Sequence, residues 1–249
     1  MDVVIPLGSG SKWRNNELRY ALRSIEKNLS GYDKIFIIGE CPEWVYCSVV
    51  SYTGTKCGLL YSCNNEGVIH ISQKDTPGKK EFSIWSKIMK AVNSEICSKD
   101  FLFTNDDIFF IKPIHTGAIQ YYYEGTLQEK YERSHGHYKA AIGNVINVSQ
   151  GTNIYADIHT PIIYNKELFK ERTSVMWEKE YVIKSLYSGY ETHNTAFMTD
   201  CKINKIMTED EISGKIHGRY FFSIGPYGVC PAMNKVLNKL FPNKSRYEK

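Results

Sequence analysis

Asp106 and Asp107 stand side by side in Phe101-Leu-Phe-Thr-Asn-Asp-Asp-Ile-Phe-Phe-Ile-Lys112, between two of the most apolar runs in the chain. Short apolar runs bounded by polar breakers read as strands buried on both faces. An ionised Asp at the end of such a strand needs a cation, hydrogen-bond donors or water. A carboxylate pair there suits a hard divalent ion, Mn²⁺ or Mg²⁺, which takes oxygen ligands and completes its shell with waters and substrate phosphates. A nucleoside diphosphate would supply those phosphate oxygens. The plainer alternative is that the two Asp residues cap the turn that follows. The flanking buried strand favours the site, with Asn105 beside it.

Other candidates are more dispersed. His159 lies in Tyr155-Ala-Asp-Ile-His-Thr-Pro161, where Asp157 could orient the imidazole for acid–base work. Arg19 could hold a phosphate through its two-pronged guanidinium, whereas Arg23, three residues before Glu26, could equally form a pair on the helix surface. Lys87 could reach a diphosphate from the helix ahead of the Asp pair. His193-Asn194 and His217-Gly-Arg219 are polar groups in a mostly apolar C-terminal half and are candidates for the acceptor side. Tyr121 to Tyr123, Trp85 and Trp177 could stack on a sugar or base, although aromatic residues are more often core.

The elements that must position these residues follow from periodicity. Val3 to Leu7 reads as a buried strand that ends in the flexible turn Gly8-Ser9-Gly10-Ser11. Leu18, Ala21, Leu22, Ile25 and Leu29 then recur at helical spacing behind an N-cap at Asn15 or Asn16, and Gly31 stops the helix. Lys34 to Gly39 is a second strand, so the chain opens as strand, helix, strand, the unit of a parallel sheet. The segment 41–67 lacks periodicity and could hold a small hairpin. Val68 to Ile71 is a third strand, Phe82 to Ile96 a helix, and Asp100 to Thr104 the strand that leads into the Asp pair. Ligands of doubly wound sheets sit beyond the carboxyl ends of the strands, where Pro6, Leu7, Gly8, Asn105, Asp106 and Asp107 fall. Further on, helices are expected at 136–148, 166–172, 178–187 and 231–240, with apolar strands at 161–164 and around Phe221 and Phe222.

Composition sets the frame. At 249 residues, 42% hydrophobic and 23% charged, the chain fits one globular domain, with residues 1–112, which carry the Asp pair, as the half expected to hold the diphosphate and 113–249 as a less regular half. A formal net charge of +4 with scattered basic residues permits an anionic substrate without announcing nucleic acid. No apolar run approaches the roughly 20 residues of a membrane span, and the N-terminus lacks a leader pattern, so a cytoplasmic location is expected. Seven cysteines, with no Cys-x-x-Cys pair, suit free thiols. Cys41, Cys47, Cys57 and Cys63 crowd one segment ahead of His70, but the five-residue gaps within each pair exceed the roughly two to four usual for zinc.

Four stretches together carry a resemblance: Asn16 to Lys27, Lys34 to Trp44, Asn105-Asp-Asp107 and His159-Thr-Pro161. In order, they are similar to the blocks of the Stealth family, whose members transfer sugar 1-phosphates from nucleotide sugars on a core related to the glycosyltransferase A fold. The resemblance implies a mostly parallel, Rossmann-like sheet with helices on both faces. It implies Asp106 and Asp107 at the catalytic and metal-binding centre, His159 beside the transferred group, and Arg19 and Arg23 facing the nucleotide. A UDP-sugar donor and a glycan hydroxyl acceptor would go with it. Two departures matter. The first strand ends Ile5-Pro-Leu-Gly-Ser9 instead of in an aromatic and Asp/Gly-containing turn, and Ser86-Lys87 replaces a Glu-Ser-His block. Both favour ordinary glycosyl transfer over phosphosugar transfer. Two rivals keep the same donor site: an enzyme that glycosylates DNA bases, for which Lys79, Lys80, Lys202, Lys205, Lys215 and Arg219 would have to converge, and a non-catalytic nucleotide- or carbohydrate-binding module.

Overall fold

A computed structural model describes residues 1–48, 51–53, 60–62, 67–149, 153–189 and 195–249, with only the backbone described at 51–53 and 60–62. The opening unit is a strand β1 (Asp2–Leu7), a helix α1 (Asn16–Asn28) and a strand β2 (Ile35–Gly39). Then come β3 (Ile69–Ile71), α2 (Lys80–Val92) and β4 (Asp100–Phe103). With a later strand, Ile162–Asn165, they form a five-stranded sheet in the order 162–165, β4, β1, β2, β3. The β4–β1, β1–β2 and β2–β3 pairings are parallel, and the 162–165 strand runs antiparallel on the β4 edge.

Period-two alternation divides the sheet between two cores. Val3, Ile5 and Leu7 of β1, with Ile35 and Ile37, face Leu18, Ala21, Leu22 and Ile25 of α1. Val4, Phe36, Ile38, Phe101 and Phe103 face the opposite way, onto Trp85, Ile88, Ala91 and Val92 of α2. A strand covered on both faces must be apolar at nearly every position, which is why β1 is buried along its whole length.

Gly39 closes β2 at φ 128°, a conformation that L side chains rarely adopt. A Cβ there would lie 1.9 Å from the Leu7 carbonyl oxygen. That oxygen accepts hydrogen bonds from the Glu40 N–H at 3.2 Å and the Lys87 ammonium at 2.8 Å, so the glycine keeps the β1 end tight against α2.

After β4 the chain turns through Asn105, Asp106 and Asp107 into β5 (Ile108–Phe110), which belongs to a second, three-stranded sheet. Its other strands are β6 (Lys202–Ile203) and, in the centre, β7 (Phe221–Ile224). The Asp pair therefore bridges two sheets. Helices at Gly136–Val148, Lys166–Arg172 and Pro231–Leu240 match the expected boundaries. Two differences stand out. The expected helix at 178–187 is helical only over Ile183–Ser188, because the Glu180 carbonyl accepts from the Asn144 amide and its carboxylate from the Phe82 N–H, holding that stretch out of the helix. The helix expected over 82–96 covers Lys80–Val92 instead; past it, the Ser94 and Cys97 carbonyls bind the Lys166 ammonium.

Candidate functional site

The strand order places β1 between β2, reached through α1, and β4, reached after the chain has crossed back. The neighbouring carboxyl ends of these two parallel strands are where ligands of such sheets sit. A cleft of about 590 Å³ lies there. Pro6 and Gly8 line it from the β1 end, Asn105, Asp106 and Asp107 from the β4 end, Lys80 and Lys87 from α2, and His159 and Lys202 from the C-terminal half. Leu7, expected beside them, does not line it, since its side chain is buried in the core.

The Asp pair is electrostatically tense. Burial and the adjacent Asp107 carboxylate push Asp106 up to about 7. Lys202 stands across from the pair, its Nζ 3.6 Å from Asp107 Oδ2, while Asp107 Oδ1 is buried without a hydrogen-bond partner. A buried carboxylate oxygen without a donor suits a cation, and two adjacent carboxylates facing an open cleft suit a hard divalent ion finished by water and phosphate. The described residues offer no cluster of three or more His, Cys, Asp or Glu side chains that could hold a metal.

His159 is oriented by Asp200, not by Asp157. Its Nδ1 lies 2.9 Å from Asp200 Oδ2, its backbone N–H donates to Asp200 Oδ1, and its Nε2 lies 2.9 Å from Lys202 Nζ. The tautomer that satisfies both contacts carries its proton on Nδ1 and accepts from the Lys202 ammonium on Nε2. Burial opposes the Asp200 charge, but the hydrogen bond from the His159 ring and the His159 and Lys202 backbone N–H groups bring it down to about 2. Asp200, His159, Lys202 and Asp107 thus form one chain of contacts.

Asp157 does different work. Its Oδ1 accepts from the Lys184 N–H and its Oδ2 from the N–H and hydroxyl of Ser185, so it caps the Ile183–Ser188 helix from outside. Lys184, buried, donates its ammonium to the Ile158 and Thr160 carbonyls, which fixes the loop that carries His159.

Arg19 and Arg23 are not among the residues that line the cleft. Arg23 makes a two-pronged pair with Glu248 at 2.7 and 2.8 Å and also bonds the Phe241 carbonyl. Arg19 Nε lies 3.3 Å from Glu248, and its guanidinium stacks over Trp44 at 4.6 Å. Both tie α1 to the C-terminal tail, and Glu26, the expected partner of Arg23, pairs with Arg246. Lys87 reaches the cleft, but Asp75 and the Leu7 carbonyl already engage its charge. His217 lines a separate groove with Glu209, Asp210 and Lys239. Arg219 binds the carbonyl and hydroxyl of Thr199, next to Asp200. His193 and Asn194 lie outside the described residues, as do Cys57 and Cys63. Of the other two clustered cysteines, Cys41 and Cys47 have their sulfurs 3.3 Å apart, while His70 bonds the Gly39 carbonyl.

The residue-by-residue reading passed over Asp200, Asp75 and Glu81 and met Lys80 and Lys202 only as members of a scattered basic set. One signal was present. Asp200-Cys-Lys202 alternates as an extended segment does, so its two charged side chains share a side while Cys201 is buried.

No family model matches the chain, and no curated protein matches it. Solved structures do. The chain is similar to the galactosyltransferase LgtC in complex with donor and acceptor sugar analogues, at 11% identity and a TM-score of 0.50 over 98% of this chain and 96% of that one. An active-site mutant of LgtC matches at 9% identity and a TM-score of 0.49, over 96% of this chain and 95% of that one. A glycosyltransferase involved in glycosylation of the major capsid of PBCV-1 matches at 11% identity and a TM-score of 0.37, over 96% and 98%. Likeness at the first of these levels is one of fold: the chain is a mixed α/β protein with a glycosyltransferase-A-like architecture.

Proposed function

We propose that the protein is a glycosyltransferase that moves a sugar from a nucleotide sugar to an acceptor hydroxyl. The observation that carries this reading is the cleft at the β1 and β4 ends, where the Asp106–Asp107 pair faces Lys202 beside the Gly8–Gly10 turn. The glycine turn admits a phosphate close to the backbone, and Lys80 and Lys202 offer it positive charge. His159, braced by Asp200, holds the Lys202 ammonium toward the cleft.

Asp106 and Asp107 would hold a Mn²⁺ or Mg²⁺ ion. Bound there, the ion would neutralise the charge of the diphosphate. The chain's own part is to fix the donor's diphosphate on Lys80 and Lys202 and to present the acceptor from the adjoining cavity of about 270 Å³, which shares Lys80, Ile84, Asn105 and His159 with the cleft. A UDP-sugar is the expected donor and a glycan the expected acceptor. The resemblance to the Stealth blocks supports a second reading, transfer of a sugar 1-phosphate from the same donor site.

The test is incubation with a panel of nucleotide sugars and Mn²⁺, followed by identification of the nucleotide released. Nucleoside diphosphate is expected. Nucleoside monophosphate would instead support phosphosugar transfer, and release of neither would refute both.

A further inference from the structure

Glycosyl transfer to a hydroxyl needs a group to accept the hydroxyl's proton, and the side chains expected to do so are already engaged. His159 has both ring nitrogens occupied, Nδ1 by Asp200 and Nε2 by Lys202. Three carboxylates line the cavity that adjoins the donor cleft: Asp157, Asp200 and Glu81. Asp157 accepts three hydrogen bonds, and Asp200 is bound to the ring and backbone of His159 and to the Lys202 N–H. Glu81, half-buried in the first turn of α2, has no hydrogen-bond or ion-pair partner among the described residues. We infer that Glu81 is the general base of the transfer, facing an acceptor sugar held in this cavity. The inference rests on the glycosyltransferase reading above.

The chemical step is then explicit. The acceptor O–H gives its proton to the Glu81 carboxylate as the oxygen forms a bond to the anomeric carbon. The bond from that carbon to the diphosphate oxygen breaks, and the nucleoside diphosphate leaves with the electron pair, its charge met by Lys80 and Lys202. Glu81 later returns the proton to water. Attack from the side opposite the leaving group inverts the anomeric configuration.

The surroundings tune Glu81 for this task. Burial foremost, then the Asp157 and Glu180 charges, raise its carboxyl to about 7, against the opposing pull of Lys80 and Lys184. Lys130, His159 and Asp200 complete the charged lining of the cavity. A base that titrates near neutral pH is matched to proton abstraction there.

Glu81→Gln and Glu81→Ala, measured with the nucleotide sugar that the wild type uses, test the assignment. Both variants are expected to bind UDP or GDP, whichever the wild type binds, within about twofold, and to lose about a hundredfold or more in turnover. Formate should restore part of the turnover to Glu81→Ala and none to Glu81→Gln, and the wild-type product should have the inverted configuration. A Glu81→Gln variant within about threefold of wild-type turnover, loss of nucleotide binding in step with turnover, or a retained configuration would overturn the role of Glu81 and leave the transferase reading standing. A wild type that turns over no nucleotide sugar would overturn both.

Discussion

At the scale of single residues, the cleft works by opposed charges held at short range. Asp106 and Asp107 sit close enough to each other, and to Lys202, that removing any one changes how the others are populated. Lys202→Met is expected to weaken UDP or GDP binding about tenfold, about 1.4 kcal/mol, and to raise KM more than it lowers kcat; calorimetry and steady-state kinetics check this. Lys202→Arg should keep part of the affinity. Asp200 gives a stability signature. Its carboxyl lies at about 2, below the ordinary 3.8, so it contributes stability that is complete above the ordinary value and lost as the pH falls through about 2. Asp200→Asn should therefore cost about 2.5 kcal/mol at neutral pH, from a gap of just under two units at about 1.4 kcal/mol each. The difference from wild type should narrow as the pH falls below about 4 and close below about pH 2 in denaturant titrations, a window set by the same pair of values.

At the scale of elements, two sequence expectations part company with the structure in instructive ways. Asp157 sits two residues from His159, which suggests an orienting pair, yet neighbouring side chains on an extended loop point where tertiary partners draw them, and the Ile183–Ser188 helix N-terminus offers Asp157 three donors. Asp157→Ala should destabilise the fold by about 2 kcal/mol, the cost of a lost cap and stranded donors, while UDP or GDP binding persists; thermal melts with and without nucleotide separate the two effects. Arg19 and Arg23 show the same limit. Their helix and its buried face were legible from spacing alone, but the Glu248 carboxylate that claims their outer face lies more than two hundred residues away, beyond any local pattern. Two elements were legible and passed over. Thr126 with Glu129 and Thr208 with Glu211 form capping boxes that start the helices Leu127–Arg133 and Glu209–Ile216, a signature present in the sequence itself.

At the scale of the whole molecule, the order of the parallel strands places the cleft; the strands themselves were readable because each must be apolar on both faces while each connecting helix shows one apolar stripe, but their order in the sheet was not. The Asp pair was readable for the same reason: two charges between strands such as these interrupt a pattern that allows almost none. What strand and helix periodicity could not reveal was the contribution of the C-terminal half, where Asp200, Lys202 and the 153–160 loop arrive at the cleft through non-local contacts. No described helix is long and apolar enough to cross a membrane.

The central claim is that the cleft at the ends of β1 and β4, and not the face of α1 that carries Arg19 and Arg23, receives the donor's diphosphate. Calorimetric titration of UDP and GDP with Mn²⁺ into wild type, Asp107→Asn and Arg19→Ala tests it directly. The structure predicts that wild type and Arg19→Ala bind one of these nucleotides with affinities within about threefold of each other. It predicts that Asp107→Asn, with melting temperature nearly unchanged, loses at least about tenfold, about 1.4 kcal/mol. Retained binding in Asp107→Asn together with loss in Arg19→Ala would contradict the account and move the donor site to α1.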